Sequence, residues 1–341
     1  MIDHIKHILV IRLSAMGDVA MLVPVIHSFR KQYPEIQITV LTRPFFKSLF
    51  RDINNVSVIE ADVKGKHKGI SGLYKLSREL KALKFDAVAD CHNVIRSILL
   101  KVFIRGVPFI RIDKGRKEKK ALIKGHNFHQ LKTTHQRYAD VMASLGFTID
   151  LTQPIFSKPQ QMPLKCNELI GDYTSLLGIA PFAAFQSKSY PLDLMEEVIR
   201  ELSKENTIVL FGGGEKEIIE LNNLEAKYDK VINLAGKVSF EDELDVISNL
   251  DVMISMDSGN GHLAAMFGIE TVTLWGVTHP FAGFYPFHQD SNNALMADRD
   301  KFPLIPTSVY GKTFPKGYEK AIGTITPQTI IAKVRSVINK I

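Results

Sequence analysis

Short apolar runs that open onto turns of small residues and then onto amphipathic stretches recur along this chain, and that recurrence limits its fold more than any other feature. The first run is Ile8-Leu9-Val10-Ile11, which leads into Ser14-Ala15-Met16-Gly17. Val19, Leu22, Val23, Ile26 and Phe29 follow on one helical face, and the pattern stops before Tyr33-Pro34. An unbroken apolar run suits a strand covered on both sides, whereas spacings of three and four suit a helix with one buried face. Ile36, Ile38 and Val40 then alternate as a strand. Residues 56–59 and 85–89 read as further strands, with helices near 73–83 and 94–105. Strand, crossover helix and strand in this order make a parallel sheet with helices on both faces.

The rhythm breaks at 153–163, where Pro154, Pro159 and Pro163 interrupt any periodicity, as in an interdomain linker. Beyond it strands are expected at 183–185, 207–211, 252–255 and 271–275, with helices at 192–202 and 244–250. A chain of 341 residues is longer than one hydrophobic core usually serves. The reading is therefore an α/β protein with two doubly wound domains, 1–156 and 157–325, facing across a cleft at the carboxyl ends of their strands. A last helix over 326–341 starts at the cap Thr326 with Pro327 in its first turn. Ile330, Ile331, Val334, Val337, Ile338 and Ile341 form its apolar stripe, and it is expected to cross back onto the first domain.

Composition excludes several classes. With 45% hydrophobic and 23% charged residues the chain is a folded globular protein, not a disordered one. No stretch approaches 18 uninterrupted apolar residues, and Met1-Ile2-Asp3-His4 opens no export signal, so a cytoplasmic location is expected. Cys91 and Cys166 form no pair motif, which suits a reducing compartment. His126, His129 and His135 lack zinc spacing, so neither a metal nor a cofactor is expected. The net charge of +7 is unevenly spread: residues 64–132 hold 18 Lys or Arg against 5 Asp or Glu, leaving −6 elsewhere. Such a surplus favours an anionic partner. The densest part, 111–124, has no aromatic residue to stack on bases, which argues against nucleic acid.

Four turns carry candidate chemistry. In 251–265 an apolar strand leads into Asp257-Ser258-Gly259-Asn260-Gly261-His262 and opens a helix. Free N–H groups and the helix dipole there would hold a phosphate, with His262 as an added donor; equally, Asp257 or Ser258 would simply cap the helix. In Arg12-Leu13-Ser14-Ala15-Met16-Gly17-Asp18 the dinucleotide fingerprint is absent, and Asp18 is either a helix cap or a carboxylate at the mouth of the first sheet. Lys188 in Gln186-Ser187-Lys188-Ser189-Tyr190-Pro191 is either a lone exposed lysine or a partner for an anionic ligand. After Gly212-Gly213-Gly214, Glu215 or Glu217 would accept hydrogen bonds from ribose hydroxyls or favour the helix start.

Taken in order, these turns resemble those of glycosyltransferase family nine, the lipopolysaccharide heptosyltransferases. Residues 8–18 followed by Val23-Pro24 look like the opening strand, Ser-x-Met-Gly-Asp turn and helix of that family. Lys188-Ser189-Tyr190-Pro191 is similar to its Lys-x-Trp-Pro element, with tyrosine for tryptophan. Residues 213–217 resemble its glycine-glycine-x-x-glutamate turn, and Leu234-Ala235-Gly236-Lys237, residues 257–265 and Trp275-Gly276-Val277-Thr278-His279-Pro280 follow in family order. Ser258 stands where the family usually has threonine.

The resemblance implies a GT-B fold of two Rossmann-like domains and metal-independent, inverting transfer. It implies ADP-heptose as the nucleotide-sugar donor and lipopolysaccharide core, or a related envelope saccharide, as acceptor. By position it makes Asp18 the general base and sets Lys188 on the donor phosphates. Ser187, Asp257, Ser258, Gly259, Gly261 and His262 would complete the phosphate site, with Glu215 or Glu217 on the ribose. Ser14, Met16, Gly17 and Arg96 would face the acceptor. Lys117, Lys119 and Lys120 would meet an anionic, lipid-linked acceptor, with peripheral contact at the inner-membrane surface. Two rivals are a nucleotide-sugar epimerase of the same architecture and a non-catalytic nucleotide- or saccharide-binding protein.

Overall fold

The computed structural model describes residues 4–341. From its start the chain forms β1 (His7–Ile11), α1 (Met16–Ala20), α2 (Leu22–Gln32), β2 (Gln37–Thr42), β3 (Val56–Glu60), α3 (Gly69–Lys81), β4 (Ala87–Asp90), α4 (Ile95–Phe103) and β5 (Phe109–Arg111). Helices α5 (Arg116–Ile123), α6 (Thr134–Ala143) and α7 (Leu164–Ile170) follow. The second series is β6 (Leu176–Ala180), α8 (Leu192–Leu202), β7 (Thr207–Leu210), α9 (Glu215–Glu225), β8 (Val231–Asn233), α10 (Phe240–Ile247), β9 (Val252–Met256), α11 (Gly259–Met266), β10 (Glu270–Trp275), β11 (Ala294–Met296) and α12 (Pro327–Ile338).

Two parallel sheets result, ordered β3-β2-β1-β4-β5 and β11-β10-β9-β6-β7-β8. Each order reverses once, between β1 and β4 in the first sheet and between β6 and β9 in the second. Crossovers leave in opposite directions at such a point, and a crevice opens at the carboxyl ends of the two strands. Two Rossmann-like domains are thus present, as expected. The strands are fully buried around these points: Ile8, Leu9, Val10 and Ile11 in one sheet and Val252, Met253 and Ile254 in the other are inaccessible to water.

The chain divides into two units, one comprising residues up to Lys114 with Thr134–Ser157, the other Gly115–Thr133 with Lys158–Ile341. Residues 115–133 were expected in the first domain, but Leu122 and Leu131 bury against Phe281, Ala282 and Phe284 of the second unit. The last helix also departs from expectation. Ile330, Ile331, Val334 and Val337 of α12 lie in the core of the second unit with Val198 and Leu202 of α8, while Ile341 is exposed. The helix expected over 19–29 is broken at Met21 into α1 and α2. Pro24 has no N–H to give the Ala20 carbonyl four residues earlier.

The strand expected at 183–185 is instead β6, which begins seven residues nearer the N-terminus. Gly178 at its centre hides it from a pattern of apolar side chains. A Cβ there would lie 2.5 Å from Leu250 Cδ1, so the strand is glycine where it passes under that side chain.

Candidate functional site

In the first unit the turn after β1 is organised around one buried cation. The Arg12 side chain is 6% exposed and forms an ion pair with Asp18, Nη2 to Oδ2, at 2.6 Å. Its Nη1 donates to the Cys91 carbonyl at 2.8 Å, which ties the end of β1 to the end of β4 across the switch point. Burial works against the Arg12 charge, but Tyr138, Asp18 and Cys91 outweigh it, and its pKa is raised. Asp18 Oδ2 also accepts the Ala15 N–H at 3.3 Å, and the Tyr138 hydroxyl donates to the Asp18 carbonyl at 3.0 Å. Its other oxygen, Oδ1, accepts nothing among the described residues. Asp18 is therefore more than a helix cap: one oxygen is fixed by a buried arginine and the other is open.

His92 closes this site from the β4 side. Its Nδ1 accepts the Leu13 N–H at 3.3 Å, so the ring is neutral with its proton on Nε2. Burial, then the cations Arg12, Lys114, Arg96 and Arg43, lowers its pKa to about 3. Ser14, Met16 and Gly17 are half-buried along the same turn, and Arg96 is exposed in the first turn of α4. Sequence reasoning passed over Arg12, His92 and Tyr138. Arg12 lay inside a motif already singled out, whereas nothing in the sequence marks Tyr138, 120 residues from Asp18.

In the second unit the reversal between β6 and β9 brings two of the predicted residues together. Lys188, at the end of a 3-10 turn over Gln186–Lys188, meets Asp257 Oδ2 at 2.9 Å, with side chains only 13% and 9% exposed. Thr278 Oγ1 donates to the same oxygen at 2.8 Å. Lys188 is thus not a lone surface lysine. The turn that carries it is packed too closely for side chains nearby. A Cβ on Gly276 would sit 2.5 Å from the Ser187 carbonyl oxygen, and one on Gly311, at φ +83°, would sit 2.7 Å from Lys188 Cδ. Ser187 is buried and donates to the Gly311 carbonyl at 2.6 Å, holding the strap over the lysine stem.

Directly after Asp257, Ser258 stands at the N-cap of α11 with extended backbone and no side-chain cap bond. Its hydroxyl meets Ser255 Oγ at 3.0 Å, and Ser255 Oγ accepts the Gly261 N–H at 3.1 Å. Serine 255, unremarked in the sequence, therefore does the internal capping. Among the described residues, the N–H groups of Gly259 and Asn260 in the first turn of the helix have no partner. A lysine, a helix N-terminus with open donors and a hydroxyl in one place make an anion site of the kind phosphate occupies. His262 is buried on α11.

The other predicted residues lie apart. Glu215 and Glu217 open α9 beyond β7, one strand removed from β9 by β6. Glu217 Oε2 accepts the Gly213 N–H at 2.8 Å and so shapes the glycine turn, while Glu215 is exposed. On α5, Lys117 and Lys120 are exposed, but Lys119 is 5% exposed with its Nζ 3.9 Å from the centre of the Phe284 ring. Its expected place on a free basic surface is corrected: a cation–π contact buries it. Among the described residues no group of three or more His, Cys, Asp or Glu side chains gathers to hold a metal, and no helix is long and apolar enough to cross a membrane.

Comparison with known proteins adds three findings. The family model described as glycosyltransferase family 9 (heptosyltransferase) matches residues 73–304. A lipopolysaccharide core heptosyltransferase of Haemophilus influenzae is 24% identical over 282 residues, covering 81% of this chain and 80% of that protein. Among solved structures, a glycosyl transferase family 9 protein of Veillonella parvula superposes with a TM-score of 0.76 at 20% identity, with 98% of both chains covered. The heptosyltransferase WaaC of E. coli, solved with ADP, gives a TM-score of 0.71 at 19% identity, covering 97% of this chain and 99% of that one.

Proposed function

Because this chain belongs to glycosyltransferase family 9 and is a glycosyltransferase, we propose that it moves heptose from ADP-heptose to the core saccharide of a lipopolysaccharide, with inversion at the anomeric carbon. The observation that carries the donor half is the Lys188–Asp257 pair beside the open N-terminus of α11. The lysine and the helix dipole would hold the diphosphate and stabilise the charge it gains on leaving. Thr278 and Asp257 keep the lysine in place, so that its charge would serve that step without a metal. Gly259 and Asn260 would donate their N–H groups, Ser258 its hydroxyl, and Glu215 or Glu217 would accept from the ribose.

The acceptor half rests on Asp18. Its open Oδ1 would take the proton of the attacking hydroxyl as oxygen bonds to the anomeric carbon and the ADP oxygen departs. Arg12 holds Oδ2 and so fixes which oxygen faces the acceptor. Lys117, Lys120 and Arg96 are exposed and would supply positive charge for a phosphorylated, lipid-linked saccharide, as an enzyme working at the cytoplasmic face of the inner membrane would need. An epimerase is not favoured, because that activity is not the one the family carries.

The test is transfer from ADP-heptose to a heptose-deficient core saccharide, run beside a panel of ADP-, GDP- and UDP-sugars in thermal unfolding. ADP-heptose is expected to give the largest rise in Tm and to support transfer. Asp18→Asn is expected to lower kcat by roughly 10² to 10⁴ while the donor Kd stays within a few fold. Transfer that survives this substitution removes Asp18 as base, and a larger stabilisation by a UDP- or GDP-sugar removes ADP-heptose as donor.

A further inference from the structure

Helices α3 and α4 of the first unit lie side by side, and their inner faces share one core: Leu73, Leu76 and Leu80 from α3 with Leu100 from α4. Tyr74 meets Phe103 edge to face at 5.5 Å, so the outer stripes of the two helices adjoin. Those stripes are not polar. On α3, Ile70 and Tyr74 are 66% and 52% exposed; on α4, Ile95, Ile98 and Val102 are 77%, 39% and 50% exposed. Spacings of four on α3 and of three and four on α4 keep each set on one face. Single exposed aliphatic residues are ordinary, but five on two touching helices form a patch that asks for an occupant.

Charge says which occupant. Lys75 and Arg78 lie beside the apolar residues on α3, Lys101 lies on α4 and Arg105 two residues past its end, and all four are exposed. Residues 64–105 contain ten Lys or Arg and three acids. None of the three acids answers these cations: Asp90 is buried, Asp86 accepts the N–H groups of Lys6 and His7, and Glu79 is paired with Lys66 and His67. A second copy of this chain docking by the same face would set like charges against each other. An anionic bilayer presents the opposite charge around an apolar interior.

We propose that the α3–α4 face docks this protein on anionic lipid, with the five apolar side chains in the headgroup boundary and Lys75, Lys101 and Arg105 against lipid phosphates. Both helices follow strands of a parallel sheet, so both begin at the carboxyl edge, where Arg12, His92 and Asp18 stand. The most exposed residue, Ile95, belongs to the first turn of α4 beside Arg96. Docking there brings a membrane-anchored saccharide to the edge that holds the carboxylate. This purpose rests on the proposed transferase reading, whereas the docking does not.

The experiment is co-sedimentation of the full chain with vesicles of phosphatidylethanolamine containing roughly a quarter phosphatidylglycerol, against pure phosphatidylcholine. The wild type is expected to bind the anionic vesicles, less so as salt rises. Ile95→Ser with Val102→Ser is expected to lose on the order of tenfold in affinity. Lys75→Gln with Lys101→Gln and Arg105→Gln is expected to lose about fivefold per cation. All five positions are exposed, and an unchanged Tm verifies folding. Both variants are expected to keep wild-type transfer to a deacylated core saccharide and to lose transfer to acceptor embedded in vesicles.

Absence of wild-type binding, or equal binding by either variant, overturns the proposal. So does a wild-type dimer in sedimentation velocity that the serine variant dissolves, which would make the face a self-association surface. Transfer to deacylated saccharide without vesicle binding removes the docking and leaves the transferase reading. Vesicle binding through this face with no saccharide accepted does the reverse.

Discussion

At the scale of single residues, the two candidate sites share one device: a charged side chain is held by a buried partner of opposite charge, so that its remaining valence points one way. Arg12 does this for Asp18, and Asp257 with Thr278 does it for Lys188. Removing one member of a buried pair leaves the other without compensation, which is costlier than removing both. Lys188→Met is therefore expected to act twice. Calorimetry should show ADP affinity falling about 10- to 100-fold, and denaturant unfolding should show a stability loss of about 3 kcal/mol as Asp257 is left buried alone. The double variant with Asp257→Asn should recover most of the stability and none of the affinity. If affinity is unchanged in Lys188→Met, the lysine does not meet the donor. The residues the sequence marked well, Asp18, Lys188 and Asp257, are those whose function needs a rare type at a turn. Those it gave no role, Ser255, Thr278, Arg12 and His92, hold the others in place, and a supporting role of that kind can be filled from many positions.

At the scale of elements, the sites exist because strands end where the sheet order reverses. The alternation of apolar runs and amphipathic stretches was sufficient to read β1, β2, β4, β7, β9 and β10 and their crossovers. It failed at β6, where Gly178 replaces a core side chain so that Leu250 can pass. It failed again at residues 115–133, whose placement is decided by Leu122 and Leu131 meeting the aromatic residues near 281–284 rather than by anything local. Periodicity reports which face of an element is buried and says nothing of what buries it. The turn that carries Lys188 is similarly set by distant glycines. Gly276→Ala is expected to push the Ser187 carbonyl away, to destabilise the second unit by roughly 1 to 3 kcal/mol, and to weaken ADP binding in the same variant. A Gly276→Ala protein with wild-type ADP affinity would mean that the turn repositions without moving the lysine.

At the scale of the whole molecule, buried titrating groups set how stability responds to acid. His27 and His279 are lowered to about 4 and His92 to about 3, burial being the main cause in each. Each is held neutral in the fold and takes up a proton on unfolding, so its contribution is present above the unfolded value of 6.5 and is lost as pH falls toward the folded one. Glu243, raised to about 7 by burial, acts the other way: it is protonated in the fold and its contribution is lost as pH rises. Between pH 6 and 5 the net uptake on unfolding is about two protons, or roughly 3 kcal/mol of stability lost per pH unit. The pH dependence of urea unfolding should show this slope, with Glu243→Gln steepening it to about three protons and His92→Gln reducing it to about one. A flat profile would mean that these histidines charge without unfolding. The discontinuous second unit also has a consequence for how the chain is made. Residues 115–133 leave the ribosome before the aromatic residues that cover Leu122 and Leu131, which follow about 150 residues later. At about 5–20 residues per second that is a wait of roughly 8 to 30 seconds. Throughout it the first unit must close around α6 with its intervening segment still undocked, so a chain arrested in that interval would offer chaperones and proteases the stretch that carries Lys117 and Lys120.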